Sequence, residues 1–335
     1  MVASGRRCAR ARQSRCFVLV ALLLAPVYVR AQSVNGALDV LFPTGARATS
    51  MGTAVAAEQG GEALWWNPAG IARLTKPEFA LDHFATFVVE SGDAASFVLP
   101  AGPVGVFAIS GRLLNYGTTT NKDVNNVELG TSSVRSVVFG GTFAAAFGDR
   151  VSAGVSFRLY RLTAPCSGVC DNVVVADARS ALVDAGIQFQ TSPASPFSFG
   201  AVLSNVGPDL QVHDQPQADA LPARLHLGMS YRPTSSQWDP ALRVRTSMEF
   251  VATPSLSKGE LHLGGEVGYV SGQATLYLRG GYIYEQSSGP ESSVGPSLGF
   301  GIASGRVQLD FAQVFDSFST GLGKPPRYVS IRIGL

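Results

Sequence analysis

Histidine, cysteine and carboxylate side chains are the groups that could do chemistry in this chain, and their spacing argues against catalysis. The histidines are four, His83, His213, His226 and His262. No Gly-x-Ser-x-Gly, His-Glu-x-x-His, phosphate loop or dinucleotide fingerprint occurs. Asp82 and His83 are adjacent on an expected strand, where neighbouring side chains point to opposite faces, so they form no dyad. The chain is therefore not expected to be an enzyme or to carry a metal or cofactor. Cys166 and Cys170 lie in a loop containing Pro165 and Gly168. Two thiols with no histidine nearby do not complete a zinc shell, and in an oxidising compartment they are expected to form a small local disulfide.

A second set of polar residues is mixed in sign: Arg158, Arg224, Arg243, Arg245, Arg279 and Arg332 with Asp184, Glu249, Glu266 and Asp310, joined by His226 and His262. Each sits at an alternate position within an otherwise apolar run. Ser152, Gly154, Ser156 and Arg158 alternate with Val151, Ala153, Val155, Phe157 and Leu159; Arg243, Arg245, Ser247 and Glu249 alternate with Leu242, Val244, Thr246, Met248 and Phe250. Period-two alternation puts one set on each face of a strand. One face is oily and the other charged, which fits a closed barrel in a bilayer, with apolar residues toward lipid and charges toward the lumen. An arginine facing lipid near the bilayer centre costs about 2–4 kcal/mol. Mutual ion pairing is the plain role for these charges and a ligand-selective lining the sharper one. The two histidines are expected to hydrogen-bond to neighbours.

Such runs recur from residue 77 to the end. The expected strands are 77–89, 94–101, 103–114, 133–147, 150–163, 178–190, 196–205, 221–232, 241–251, 260–270, 273–285, 294–303, 306–315 and 327–335. That is about 14 strands, an even number, as single-chain barrels favour. Short turns such as Gly148-Asp149, Ser271-Gly272 and Ser304-Gly305 alternate with polar loops at 115–131, 164–177, 207–220 and 286–293. Short turns on one rim and long loops on the other are the usual barrel asymmetry. Composition agrees. Only 15% of the 335 residues are charged and glycine counts 37, whereas soluble domains carry about 25% charged residues. Net charge is +2, which points to no nucleic-acid partner.

The chain opens with Arg6, Arg7, Arg10, Arg12 and Arg15, then an apolar run over residues 17–29, with Val29 and Ala31 at the −3 and −1 positions. This describes a cleaved secretory signal over 1–31. The run is too short for a spanning helix, which needs about 20 residues. Within residues 32–76 the stretch 44–74 does not alternate. Ala-rich pieces broken at Gly60-Gly61 and Asn67-Pro68 point to short helices and a turn closed by Gly70. A segment of this kind suits a plug or hatch inside a barrel formed by 77–335; a collar on the periplasmic rim is the alternative.

Gly45, Arg47, Ala48, Met51 and Gly52, followed by Trp65, Trp66, Asn67, Pro68, Ala69 and Gly70, resemble the opening of PorV/PorQ-type proteins within the FadL-like outer-membrane barrels. The resemblance implies an all-β transmembrane barrel of fourteen strands with an N-terminal hatch. It also implies an outer-membrane location, contact with outer-membrane lipid and assembly by the barrel assembly machinery. FadL relatives carry fatty acids or other hydrophobic small molecules across the outer membrane; PorV relatives bind secreted cargo proteins in type IX secretion. The chain ends Ile333-Gly334-Leu335 without the terminal aromatic such barrels usually show. Trp65, Trp66, Phe79, Phe84 and Phe87 could furnish apolar surface at the hatch, although the phenylalanines are expected to anchor the membrane interface.

Overall fold

The computed structural model describes residues 36–169, 176–192, 194–212, 218–233, 239–286, 295–315 and 325–335. The expected signal at 1–31, the start of the 32–76 segment, Cys170, His213 and the 287–293 part of the last polar loop lie outside the described residues.

Alternating side chains from Glu78 onward build one antiparallel sheet. Its first strands are β1 (Glu78–Ala85), β2 (Ser91–Pro100), β3 (Val106–Lys122), β4 (Glu128–Phe147) and β5 (Val151–Ala164). They are followed by β6 (Ala176–Gln190), β7 (Phe197–Val206), β8 (Arg224–Tyr231), β9 (Leu242–Thr253) and β10 (Lys258–Ser271). The last are β11 (Ala274–Gln286), β12 (Pro296–Ser304), β13 (Val307–Val314) and β14 (Arg327–Gly334). Each strand pairs with the next in the chain, and β14 returns to β1 with Gly334 opposite Glu78 and Arg327 opposite Ala85. No edge is left free, which is the condition for crossing lipid with strands. The wall is a closed barrel of 14 strands, extended by three short ribbons of the 17-stranded sheet at Cys166–Gly168, Leu210–Val212 and Ala218–Asp219.

Turn chemistry fixes the register at one rim. Gly148, Gly272 and Gly305 take φ of 62°, 59° and 59° between β4 and β5, β10 and β11, and β12 and β13. Glycine enters this left-handed region without steric cost, as tight hairpins require. At the opposite rim the expected loop 115–131 is instead mostly strand. β3 and β4 stay paired to Lys122 opposite Glu128, and only 123–127 turns, with Asp123 Oδ1 accepting from the backbone N–H groups of Asn125 and Val127 at 2.8 Å each. The polar residues there mark where the strands leave the apolar zone, and Thr118, Thr119 and Thr120 still favour extended backbone.

The two faces differ as the alternation demands. Large apolar side chains such as Phe139, Phe157, Leu159, Leu278 and Phe300 are exposed on the outside. Ser110, Thr142, Ser156, Asp184, Glu249, Glu266 and Asp310 are buried on the inside. A soluble protein does the reverse, so the outer surface is that of a barrel solvated by hydrocarbon. Inside runs the non-alternating segment: a 3-10 turn Leu38–Leu41, a short helix Ala46–Ser50, and 3-10 turns Gly61–Trp65 and Pro68–Ile71. Its partners come from around the wall. Ala46 N–H donates to Ser330 Oγ of β14 (2.8 Å), and Ser198 of β7 and Ser297 of β12 donate to the carbonyls of Ala57 (3.1 Å) and Ser50 (3.2 Å). The segment threads the lumen and is not a rim collar.

Candidate functional site: the filled lumen

The lumenal segment lies against glycines that leave the wall without side chains at the contact. A Cβ on Gly264 would come 2.5 Å from Met51 O, and one on Gly154 2.5 Å from Pro68 C. Gly186, Gly200 and Gly281 are pressed as closely by Asn67, Ala56 and Gly52. Asn67 works twice. Its Oδ1 accepts from Ala69 N–H at 3.0 Å, capping the turn that begins with Pro68, and its Nδ2 donates to Ala56 O at 2.6 Å. Gly70 does not close that turn as expected. It lies inside it, where a Cβ would meet Ala63 Cβ and Glu58 O at 2.5 Å each.

At mid-lumen an ion network joins segment and wall. Arg47 reaches Glu58 (3.1 Å), Glu62 (3.8 Å) and Glu266 of β10 (3.3 Å). Arg245 of β9 meets Glu58 at 2.6 Å, Arg279 of β11 bridges Glu266 (2.6 Å) and Asp310 (2.7 Å), and Arg332 of β14 meets Glu62 at 3.1 Å. Glu58 also accepts from Ser230 at 2.6 Å and Ser247 at 3.0 Å. Burial by itself would raise the Glu58 carboxyl, but Arg245, Arg47 and the Ser230 hydrogen bond hold it below the ordinary carboxylate value. Burial likewise opposes charge on Arg47, and Glu266, Glu58 and Glu62 outweigh it, so its guanidinium is held charged.

The inward histidines hold the turn at residues 53–56. Glu249 Oε2 accepts from the N–H groups of Val55 (2.8 Å) and Ala56 (2.7 Å), while its Oε1 pairs with His226 Nδ1 at 2.7 Å. His262 Nδ1 lies 2.7 Å from Thr53 Oγ1 and its Nε2 lies 3.1 Å from Glu260. Arg224 reaches Glu260 (3.5 Å) and Thr253 (3.1 Å). Toward the long-loop rim, Arg158 meets Asp184 at 2.6 Å and donates to Asn205 Oδ1 at 3.0 Å. Asn205 has φ of 58°, tolerable for asparagine, beside the register shift between β6 and β7.

The expectations for Arg243 and Phe84 need correction. Arg243 is exposed at the short-turn rim, donating to Pro240 O (2.6 Å) and Leu242 O (3.0 Å), because the alternation continues past the point where the lumen ends. Phe84 is not at the membrane interface; it is buried inside, stacked on Tyr328 at 5.1 Å. His83 is exposed and pairs with Asp93 at 2.7 Å, while Asp82 faces inward to Ser330. Cys166 is disulfide-bonded, with Cys170 outside the described residues. Sequence reasoning missed Glu58, Glu62, Arg112 and Glu260. Arg112 was within reach, since Ala108, Ser110 and Arg112 share the inward face of β3. Glu58 and Glu62 stand out only as acids in an otherwise small and apolar segment.

Taken together, a hydrocarbon-facing closed wall around a hydrogen-bonded lumenal segment defines a plugged transmembrane β-barrel. Neither a protein-family profile nor a characterised protein matches this sequence. Solved structures do share the fold. The CymD monoaromatic hydrocarbon channel superposes with a TM-score of 0.55 at 14% identity, covering 87% of this chain and 96% of that one. The toluene transporter TodX of Pseudomonas putida gives 0.52 at 15% identity, covering 91% and 98%. A Pseudomonas aeruginosa FadL homologue gives 0.51 at 10% identity, covering 87% and 98%. The likeness is one of fold: a FadL-like barrel of 14 strands.

Proposed function

We propose that this protein is an outer-membrane channel that carries small hydrophobic, fatty-acid-like molecules, with residues 36–74 as a hatch that must shift for solute to pass. The observation that carries the reading is how the lumen is filled. The hatch meets the wall largely through hydrogen bonds and ion pairs around Arg47, Glu58, Glu249 and Glu266. Water can replace such contacts far more readily than it can replace a continuous apolar interface. The solved barrels of the same fold include a monoaromatic hydrocarbon channel and a toluene transporter, which supports a hydrophobic solute. Outer-membrane residence, a cleaved signal over 1–31, assembly by the barrel machinery and contact with outer-membrane lipid belong to the same reading. The finer PorV/PorQ likeness rests chiefly on residues 45–70, with weaker agreement in later strands, and cargo binding in type IX secretion gains no structural support beyond it. Uptake of radiolabelled decane and decanoate by cells expressing the full chain tests the proposal. Uptake several-fold above cells lacking the protein is expected; equal uptake contradicts it.

A further inference from the structure

The outward face of the wall is apolar over most of its height, yet near the long-loop rim it carries arginines on three neighbouring strands. Arg161 of β5 stands directly opposite Arg179 of β6, and Arg135 of β4 stands opposite Thr163 of β5. All three arginines are exposed, whereas Ser136, Tyr160 and Ala178, next to them in sequence, are buried on the inside. The arginines therefore share the outward face with the exposed Val137, Phe139, Phe157 and Leu159. Arg161 lies two residues beyond Leu159 and Arg135 two before Val137, a step of about 7 Å along a strand. They mark the height at which these strands leave hydrocarbon, on the side where long loops face the exterior. Outward positions near the same rim on β8, β11 and β12 hold Leu225, Tyr284 and Leu298 instead, so the cations gather over β4–β6.

Like charges set opposite each other on paired strands repel, and Asp177 holds two of these together. Its carboxylate accepts from Arg161 Nε (3.0 Å) and Nη2 (2.9 Å) and from Arg179 Nε (3.4 Å) and Nη2 (3.1 Å). Both guanidiniums are thus fixed side by side, with the Nη1 group of each turned to no oxygen of Asp177. Among the described residues Asp177 is the one acid paired with Arg161 and Arg179; Asp209, in the adjoining ribbon, forms no ion pair with them. With Arg135, three guanidiniums answer to one carboxylate. A planar fork of N–H donors matches phosphate oxygens two at a time, and basic groups at a membrane surface draw anionic lipid. An amphiphile whose phosphate meets these arginines lays its chains along Phe139, Phe157 and Leu159, an advantage that a free phosphate ion lacks.

We infer that Arg135, Arg161 and Arg179, set by Asp177, form a docking site on the outer wall for the phosphate head group of a lipid in the external leaflet. The site rests on the outer-membrane reading above and is independent of what the channel carries. Native mass spectrometry of the purified full chain, titrated with diphosphoryl lipid A or with the same lipid stripped of its phosphates, tests it. The phosphorylated lipid is expected to bind at least tenfold tighter. Arg135→Gln, Arg161→Gln and Arg179→Gln combined are expected to bring the two lipids within about twofold of each other. Arg135→Lys, Arg161→Lys and Arg179→Lys combined keep the charge, lose the fork, and are expected to retain part of the difference. Arg327→Gln removes an exposed arginine at the start of β14, outside the group, and is expected to leave the difference whole. Equal or absent binding of both lipids by the unmodified chain overturns the site alone. A difference that survives the triple Gln variant, or that Arg327→Gln abolishes as fully, overturns its placement over β4–β6. Displacement of the lipid by inorganic phosphate at equal concentration assigns the patch to the free anion and overturns the lipid as its occupant. A chain that stays soluble without detergent overturns the outer-membrane reading along with the site.

Discussion

Glu58 shows how much a single hatch residue can hold. Its carboxylate gathers Arg47, Arg245, Ser230 and Ser247 from the hatch and two wall strands. Breaking a buried pair by removing one partner strands the other charge at about 3–5 kcal/mol. Glu58→Gln should therefore weaken hatch docking by about 3 kcal/mol while the strand ladder stays intact. Hydrogen exchange is expected to show faster exchange in residues 46–71 and unchanged protection in the wall. The same residue sets a pH dependence. Its carboxyl is held below the ordinary value in the docked state, so its contribution is complete above that value. It is lost as pH falls through the lowered one. Tryptophan fluorescence from Trp65 and Trp66 should accordingly stay constant at neutral pH and change only under acid conditions.

At the scale of the element, the pairing of Gly264 and Gly265 separates wall from hatch. A Cβ on Gly264 meets Met51 O at 2.5 Å, whereas one on Gly265 meets nothing within 4 Å. Gly264→Val should leave the barrel folded and expose the hatch to protease, and Gly265→Val should leave the hatch protected; limited proteolysis of the two variants reads the difference directly. Strands were legible because period-two alternation is a local signal, repeated along β5 and β9 without need of tertiary knowledge. The hatch was legible as a break in that signal, and Asn67-Pro68 as its turn. What it touches was not legible. Glycines at 186, 200 and 281 read in sequence as ordinary barrel glycines, and only the three-dimensional approach of Asn67, Ala56 and Gly52 gives them a reason. The long hairpin of β3 and β4 is not legible, because a polar run reads as the end of a strand when it marks the level where β3 and β4 leave lipid.

For the whole molecule, a closed 14-strand wall with an apolar exterior and a plugged interior should behave as a barrel without an open pore. In planar bilayers the intact chain is expected to give little steady conductance. Removing residues 36–74 takes Glu58 from Arg245, Glu62 from Arg332 and the Val55 and Ala56 N–H groups from Glu249 and leaves a water-filled lumen, so stable conductance steps should follow. The most direct test of the central claim, that solute passes only when the hatch moves, is a reversible lock. Ser297 Oγ donates to the backbone carbonyl of Ser50 at 3.2 Å, which brings the two residues together across the hatch–wall contact, so Ser50→Cys with Ser297→Cys is the pair chosen to tether the hatch to β12. In cells carrying that double variant, uptake of labelled decanoate is predicted to fall to background when the disulfide forms and to recover on reduction. Uptake by the locked protein at the unmodified rate would contradict the account.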